Sequence, residues 1–481
     1  MQIETVRKRL EEFEQKLDRE LYHYFSGRKD RLELTPVYSE YSDLFSLDTI
    51  REAESELKST AESFESRRKS WGRIIAFLTD QHFELQLARL NEELAALESI
   101  RSVSRLRSEP DADERRKLAG LQADALAETE EIRLRYFERL QSVAARLGFA
   151  NYARAREGIS GIDYATLLNS FEEVLSLVEE EFAGRFRVSL ETSLGISCAE
   201  AGVWDTAFWQ TRNDRPEFFP ARNLLPFVDT ILSELNIRPE KPEVISVDLE
   251  QKGRDSRPCC IPVRIPDEIR IVMPSGEGSR HYAALLHEYG HACHFAWTSP
   301  SLPVETRVWG DKALSEGYAF LLENIVFEPQ ILARLRFAEP KQFLQFQVLH
   351  RIYLVRRSVG KTRFALKLFE DGPGDAPHIY SELMTSATGL RHNPQAWLGD
   401  FMDAFESADY LRGWALEAVL REYLRTRYGK GWISSRQASG FLKEIWETGQ
   451  LYGADELCRE LGFGGLAPRI LAERLLEELI S

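Results

Sequence analysis

A mainly α-helical protein carrying one small β-sheet is the fold that this 481-residue chain predicts. Three observations carry that reading. Apolar residues recur at helical spacing through most of the chain, three short β-branched runs cluster between about residues 244 and 273, and a metal-ligand motif sits in the helical run after them. From the N-terminus, Ile3, Val6, Leu10, Phe13, Leu17 and Leu21 step by three and four, which lines one face of a helix. A second stretch sets Leu85, Leu87, Leu90, Leu94, Leu97 and Ile100 among Glu, Arg and Gln. A third, from about Asp111 to Leu147, is dense in Ala, Leu, Glu and Arg. Long charged helices with a narrow apolar seam predict antiparallel pairs packed as a coiled-coil-like bundle. Loop signals fall at Gly158–Gly161, Asn213–Pro220, Pro239–Pro242 and Asp371–Pro377. Val244–Leu249, Cys260–Val263 and Ile269–Met273 are short and bounded by Pro or Gly, so they predict about three strands of a small sheet. His281–Trp297 returns to helix, as does most of the remaining chain.

Composition narrows the function classes. With 62 Lys+Arg against 77 Asp+Glu, the net charge of −15 argues against a phosphate-backbone binder, which needs clustered basic residues. No apolar run approaches the ~20 residues of a membrane span, and the N-terminal MQIETVRKRLEEFEQKL lacks the apolar core of a signal peptide. Cys198, Cys259, Cys260, Cys293 and Cys458 are few, odd in number and partly adjacent, the usage of a reducing compartment. The expectation is a cytoplasmic protein with no nucleic-acid or membrane partner, its state as monomer or dimer left open. At ~150 residues per domain, the length alone sets a soft count of about three units.

His287-Glu288-Tyr289-Gly290-His291 is an H-E-x-x-H motif inside the helical run. Two His at i and i+4 lie one turn apart on one face, so both imidazoles can reach a single metal ion. The Glu beside the first His can then hold a water on that metal and take its proton. A catalytic Zn²⁺ needs a third protein ligand and an open position. His294 continues the same face, but i to i+7 spans ~10.5 Å of axial rise, too long for convergence at Zn–N bonds of ~2.0–2.1 Å. His294 is therefore expected to pack or support. A third His six residues after His291 is absent, because that position is Trp297. Glu316 remains. The apolar-periodic run Ser315–Glu328 places it in the first turn of a second helix, where the helix dipole favours a carboxylate. Gly290 and Gly317 predict close approach of the two helices. Glu323, two turns further along the same side, is a candidate hydrogen-bond partner for a ligand His.

These residues resemble the thimet oligopeptidase and oligopeptidase F family of zinc peptidases. His287 through His294 is similar to that family's HE[FL]GHxxH, and Glu316 with Glu323-Asn324 matches its E-x6-E-N pattern, 25 residues after His291. Upstream, Trp204-Asp205-Thr206-Ala207-Phe208-Trp209 resembles the W-D-x-x-[FY]-Y segment, and Asp248 through Arg257 resembles the D-x-x-x-R-x-G-K-R stretch leading into the sheet. Coverage is good from about Trp204 to Phe327 and weak in the C-terminal third. The resemblance implies a zincin-like, two-lobed helical ellipsoid with a deep central channel and the small sheet beside the active-site helix. Residues 1–190 would form the N-terminal helical lobe and residues 191–481 the catalytic lobe. It further implies one Zn²⁺ per chain on His287, His291 and Glu316, with Glu288 as general base. The sheet edge would pair with an extended peptide by strand addition.

Departures from the family pattern fall downstream. The family's oxyanion donors, a His and tyrosines, correspond here to the stretch around Ser407–Trp414, where Tyr410 and Gly413 fit. The later family tyrosine falls on Glu417 and the preceding His on Phe405. Tyr410 is the expected oxyanion donor and His392, the nearest His, a substitute from a neighbouring loop; such donors are often worth ~2.7–4 kcal/mol. Arg391 and Arg412 are possible clamps for a peptide carboxylate. The expected activity is zinc-dependent hydrolysis of short oligopeptides by Glu-assisted attack of a metal-held water. A dedicated amide or peptide hydrolase with one substrate, and a decayed peptide-binding protein on the same scaffold, stay open as alternatives. Endo- versus carboxypeptidase action and the metal actually bound also stay open, since a His₂Glu set suits several divalent ions.

Overall fold

Burial at helical intervals builds the N-terminal part of the chain. The computed structural model describes residues 2–98, 104–249 and 258–480. The stripe that starts at Ile3 forms α1 (Ile3–Phe25), with Val6, Leu10 and Phe13 buried. Helix α2 (Glu65–Glu98) carries the second stretch as far as Leu97, whereas Ile100 lies outside the described residues. The third run is two helices, α3 (Ala112–Ala127) and α4 (Glu130–Arg146). Asp111 caps α3 by accepting the backbone N–H groups of Asp113 and Glu114. The break falls at buried Thr129, whose hydroxyl donates back to the Leu126 carbonyl at 2.7 Å. Helix α5 (Tyr164–Leu194) buries Phe171, Val174, Val178, Phe182 and Phe186 along one face and starts at an Asp163 cap.

Three strands form within a residue or two of their expected places: β1 (Ile245–Asp248), β2 (Cys259–Arg264) and β3 (Glu268–Val272). The order is β1-β3-β2, with β1 parallel and β2 antiparallel to the central β3. The family-like stretch from Asp248 is described only to Leu249, and residues 250–257 lie outside the described residues. Tyr22 of α1 is buried with Ile261 and Val263 of the outer strand β2, so the N-terminal helix is fastened to the sheet.

The remaining framework is helical: α6 (Ser279–Trp297), α7 (Lys312–Glu323), α8 (Pro340–Asp371), α9 (Glu406–Tyr428) and α10 (Pro468–Ile480). One hydrophobic cluster joins Phe83, Leu140 and Val178 of the N-terminal helices to Ile352 of α8, Leu411 of α9 and Leu475 of α10. A second joins Ile271 of β3, Leu286 of α6, Leu321 of α7 and Leu416 of α9. A third packs α1 and α2 against Val304 and Trp309, from the segment between α6 and α7. Helix α9 thus contributes to both large clusters, and it lies against α7, which carries Glu316. Among the described residues no helix is long and apolar enough to cross a membrane.

Candidate metal centre

Asp214 starts the motif helix. Its Oδ1 accepts the Ser279 hydroxyl at 3.0 Å and the Arg280 backbone N–H at 2.7 Å, and its carbonyl accepts the Ser279 N–H at 2.7 Å, so two of the N–H groups that a helix N-terminus leaves without partners are satisfied. That capping begins α6 at Ser279, two residues ahead of the periodicity reading. His287 and His291 follow on one face with ring centroids 4.9 Å apart. Glu288 between them is buried, and that burial pushes its carboxyl up to about 7. The backbone N–H of Cys260 draws it the other way, which sets the outer strand β2 beside the motif glutamate.

Helix α7 opens at Lys312, with Asp311 accepting from the Ala313 N–H at 3.1 Å. Glu316 therefore stands in the second turn, not the first, and the dipole contributes less to its position than its neighbours do. Those neighbours are glycines. A Cβ on Gly290 would lie 2.4 Å from the Ala319 Cα and 2.8 Å from the Tyr318 carbonyl oxygen, so α6 and α7 touch backbone to backbone there. A Cβ on Gly413 of α9 would lie 2.6 Å from the Glu316 Cβ. Gly317 faces Leu416 of α9, so its lack of a side chain serves the α7–α9 contact rather than the α6–α7 contact the sequence suggested.

The two helices bring His287, His291 and Glu316 into one cluster whose ligand atoms lie within 4.8 Å of one another. His287 Nε2 is 3.5 Å from Glu316 Oε2, and His291 Nε2 is 3.7 Å from Glu316 Oε1. Each imidazole is held from behind. His287 Nδ1–H donates to Glu323 Oε2 at 2.9 Å, which is where Glu323 was expected to act. His291 Nδ1 is 2.7 Å from the Ser315 hydroxyl, which also lies 3.4 Å from His294 Nδ1. Fully buried His294 donates its Nε2–H to the Gly449 carbonyl at 3.2 Å, so its Nδ1 accepts from Ser315 and the Ser315 oxygen accepts from His291. With both Nδ1 positions protonated, both Nε2 lone pairs are free to ligate.

The donor set fits a divalent cation. Among the described residues Glu316 Oε2 is buried with no hydrogen-bond partner, and two neutral imidazoles with one carboxylate are a zinc-type ligand set. Burial pushes His291 down to about 4 against the pull of Glu316, which favours the neutral ligand form. Burial opposes charge on Glu316 as well, but His291 and His287 hold its carboxyl below the usual range.

A cavity of about 260 Å³ opens onto the cluster, with His287, Glu288, Phe320, Glu323 and Trp414 in its wall. Tyr410 is 37% exposed, and its ring lies 6.2 Å from Phe320, which in turn lies 5.0 Å from His287. His392 is elsewhere: it is buried, its Nε2 meets the Thr388 hydroxyl at 3.1 Å, its ring lies 5.9 Å from Tyr380, and it is absent from the cavity wall. Arg412 does not serve as a clamp, because both of its terminal nitrogens bond the Asp311 carboxylate at 2.5 Å. Arg391 lies over the Trp204 ring at 6.0 Å. Glu417 is buried between Arg421 and Arg474, at 2.7 and 3.1 Å, so an ion pair stands where the family's tyrosine is expected. His350 and Ser315 were not anticipated. No local motif marks His350, and Ser315 reads in sequence as an ordinary position of a helix.

No protein-family profile and no curated protein matches the chain. Its architecture, a mainly helical body with a small mixed sheet, is one that it shares with solved structures. The particular likeness is to Pz peptidase A with an inhibitor, at a TM-score of 0.71 and 15% identity over 92% of this chain and 87% of that one. Trypanosoma cruzi metallocarboxypeptidase 1 aligns at 0.61 and 15% identity, over 99% of this chain and 100% of the other. BsuCP aligns at 0.57 and 12%, over 99% and 98%. At such identities the likeness is one of fold.

Proposed function

We propose that the chain is a zinc-dependent metallopeptidase hydrolysing the peptide bonds of short oligopeptides. We read residues 1–190 and 191–481 as its two lobes, and the reducing cytoplasm, suggested by the cysteine usage, as its compartment. One observation carries the reading: two imidazoles and a carboxylate converge within 4.8 Å while hydrogen bonds from behind take up both Nδ1 positions, so that each ring, when neutral, turns its Nε2 lone pair to the cluster. A Zn²⁺ held there would supply polarisation of the scissile carbonyl and a more acidic water. Glu288 takes the proton of the attacking water on its carboxylate and passes it to the leaving amine. The buried setting of Glu288 against β2 excludes bulk water from that exchange, and the outer strand offers its edge to an extended peptide. Tyr410, one aromatic ring away from His287, donates its O–H to the developing oxyanion. His392 we assign to packing between Thr388 and Tyr380.

The test is Glu288→Gln, which removes the base and keeps the side-chain volume. Zinc content and thermal unfolding stay at wild-type values while hydrolysis of a mixed short-peptide library falls by about 10²–10⁴-fold. Undiminished turnover at full metal occupancy overturns the assignment of Glu288. Absence of any turnover in metal-loaded wild type favours a decayed peptide-binding scaffold.

A further inference from the structure

The cavity extends beyond the metal ligands. Its wall also contains Gln210, Arg280, Gln347, His350 and Arg351, none of which the hydrolytic chemistry uses. Two guanidinium groups and three carboxylates share that wall. Apart from Glu288 and Glu323, Asp214 is the one carboxylate in the wall among the described residues, and its Oδ1 is already taken up in capping α6. Arg280 meets Asp214 only at 3.9 Å through Nε, the outer limit of an ion pair. Arg351 donates to the neutral amide oxygen of Asn324 and comes no nearer than 3.5 Å to Glu478. Two guanidinium groups thus face one cavity, each meeting a carboxylate only at long range, while Glu323 in the same wall is bonded to His287. His350 accepts the Gln210 amide N–H at its Nε2 at 2.6 Å, leaving Nδ1–H a donor with no protein partner among the described residues. Burial and the neighbouring Arg107 push the Arg280 guanidinium below its ordinary value, the mark of a cation short of counter-charge.

A guanidinium fork matches a carboxylate in two parallel hydrogen bonds, and a partly desolvated site strengthens them. At about 260 Å³ the cavity is small beside typical ligand pockets of ~300–1,000 Å³, so it admits only a short piece of peptide. We propose that this wall anchors a substrate carboxylate: Arg280, helped by Arg351 and His350, binds the carboxylate of a peptide whose scissile bond lies at the His287–His291–Glu316 centre. The anchor rests on the peptidase reading above. A free C-terminus and an acidic side chain are its two possible sources of carboxylate.

The test measures binding without turnover. Zinc-loaded Glu288→Gln protein is titrated by fluorescence anisotropy with three labelled pentapeptides: a free acid, its C-terminal amide, and an amide with one internal Glu. The free acid binds about tenfold to hundredfold more tightly than the plain amide, the gain expected of a charge-assisted hydrogen-bond pair. Adding Arg280→Gln brings that ratio to about one, and Arg280→Lys, which keeps the charge but not the fork, restores part of it. If the Arg280 variants unfold, Arg351→Gln carries the same comparison. Preference for the internal Glu over the free acid upholds the anchor and assigns it to an acidic side chain. Equal binding of all three peptides, with wild type still cleaving the amide, overturns the anchor and leaves the peptidase reading intact. A retained acid preference in a protein whose wild type cleaves nothing upholds the anchor and removes the peptidase reading.

Discussion

Ser315 holds two histidines with one hydroxyl. It accepts from His291 and donates to His294, whose other nitrogen is tied to the Gly449 carbonyl. Without that chain, His291 could carry its proton on Nε2 and present no lone pair to a metal. Ser315→Ala should therefore lower zinc affinity by about 10–100-fold, the usual cost of losing a group that orients a ligand. Competition against a chromophoric chelator measures it, and wild-type affinity in the variant would show that packing alone orients His291. The motif pair and the glutamate between them were legible in the sequence because an i, i+4 relation is settled within one turn of helix. Glu323 was legible for the same reason, lying two turns from Glu316 on one side. Ser315 was not, since its contact spans 24 residues and exists only because α7 crosses α6.

That crossing depends on missing side chains. Gly290 lets α6 meet the α7 backbone at Ala319, and Gly413 lets α9 close over Glu316. In Gly290→Ala the new methyl would meet main-chain atoms, which cannot rotate away as a side chain can. The expected loss is about 1–3 kcal/mol of unfolding free energy, with weaker zinc binding as Glu316 is displaced. Urea unfolding with and without zinc reads both, and unaltered stability would mean that the helices separate freely. Helices were legible as elements and less so in their ends. The Asp111–Leu147 run breaks at buried Thr129, and α7 begins at its Asp311 cap, ahead of the apolar period. Both boundaries are made by single side chains bonding the backbone, which periodicity averages over.

Across the whole molecule, α9 belongs to both large hydrophobic clusters, and Glu417 on it is paired with Arg421 and, from α10, Arg474. Against the effect of burial, those two guanidinium groups hold the Glu417 carboxyl down to about 2. A depressed carboxyl stabilises the fold fully above its unfolded value of about 4.5 and loses that contribution as pH falls toward 2. The shift corresponds to stabilisation on the order of 3 kcal/mol. Glu417→Gln should be less stable than wild type at pH 7, by about 3 kcal/mol, with Arg421 left to Glu328 and Arg474 to Glu478. The gap should narrow as pH falls from 4.5 toward 2. Unfolding curves of both proteins across that range decide it; a constant gap would locate the stabilisation elsewhere.

The amino-acid order by itself determined the helical body, the three short strands, the two histidines with the glutamate between them, and Glu316 as the carboxylate that joins them. All of these follow from relations between residues a turn or two apart, or from motif spacing. Three-dimensional packing decided the rest. It set His392 among Thr388 and Tyr380, committed Arg412 to Asp311, and placed an ion pair at Glu417. It also brought His350 and Arg280 into the wall that contains Glu288. Partners for a buried charge or a hydroxyl come from whichever segment packs against it. Local periodicity carries no information about that segment.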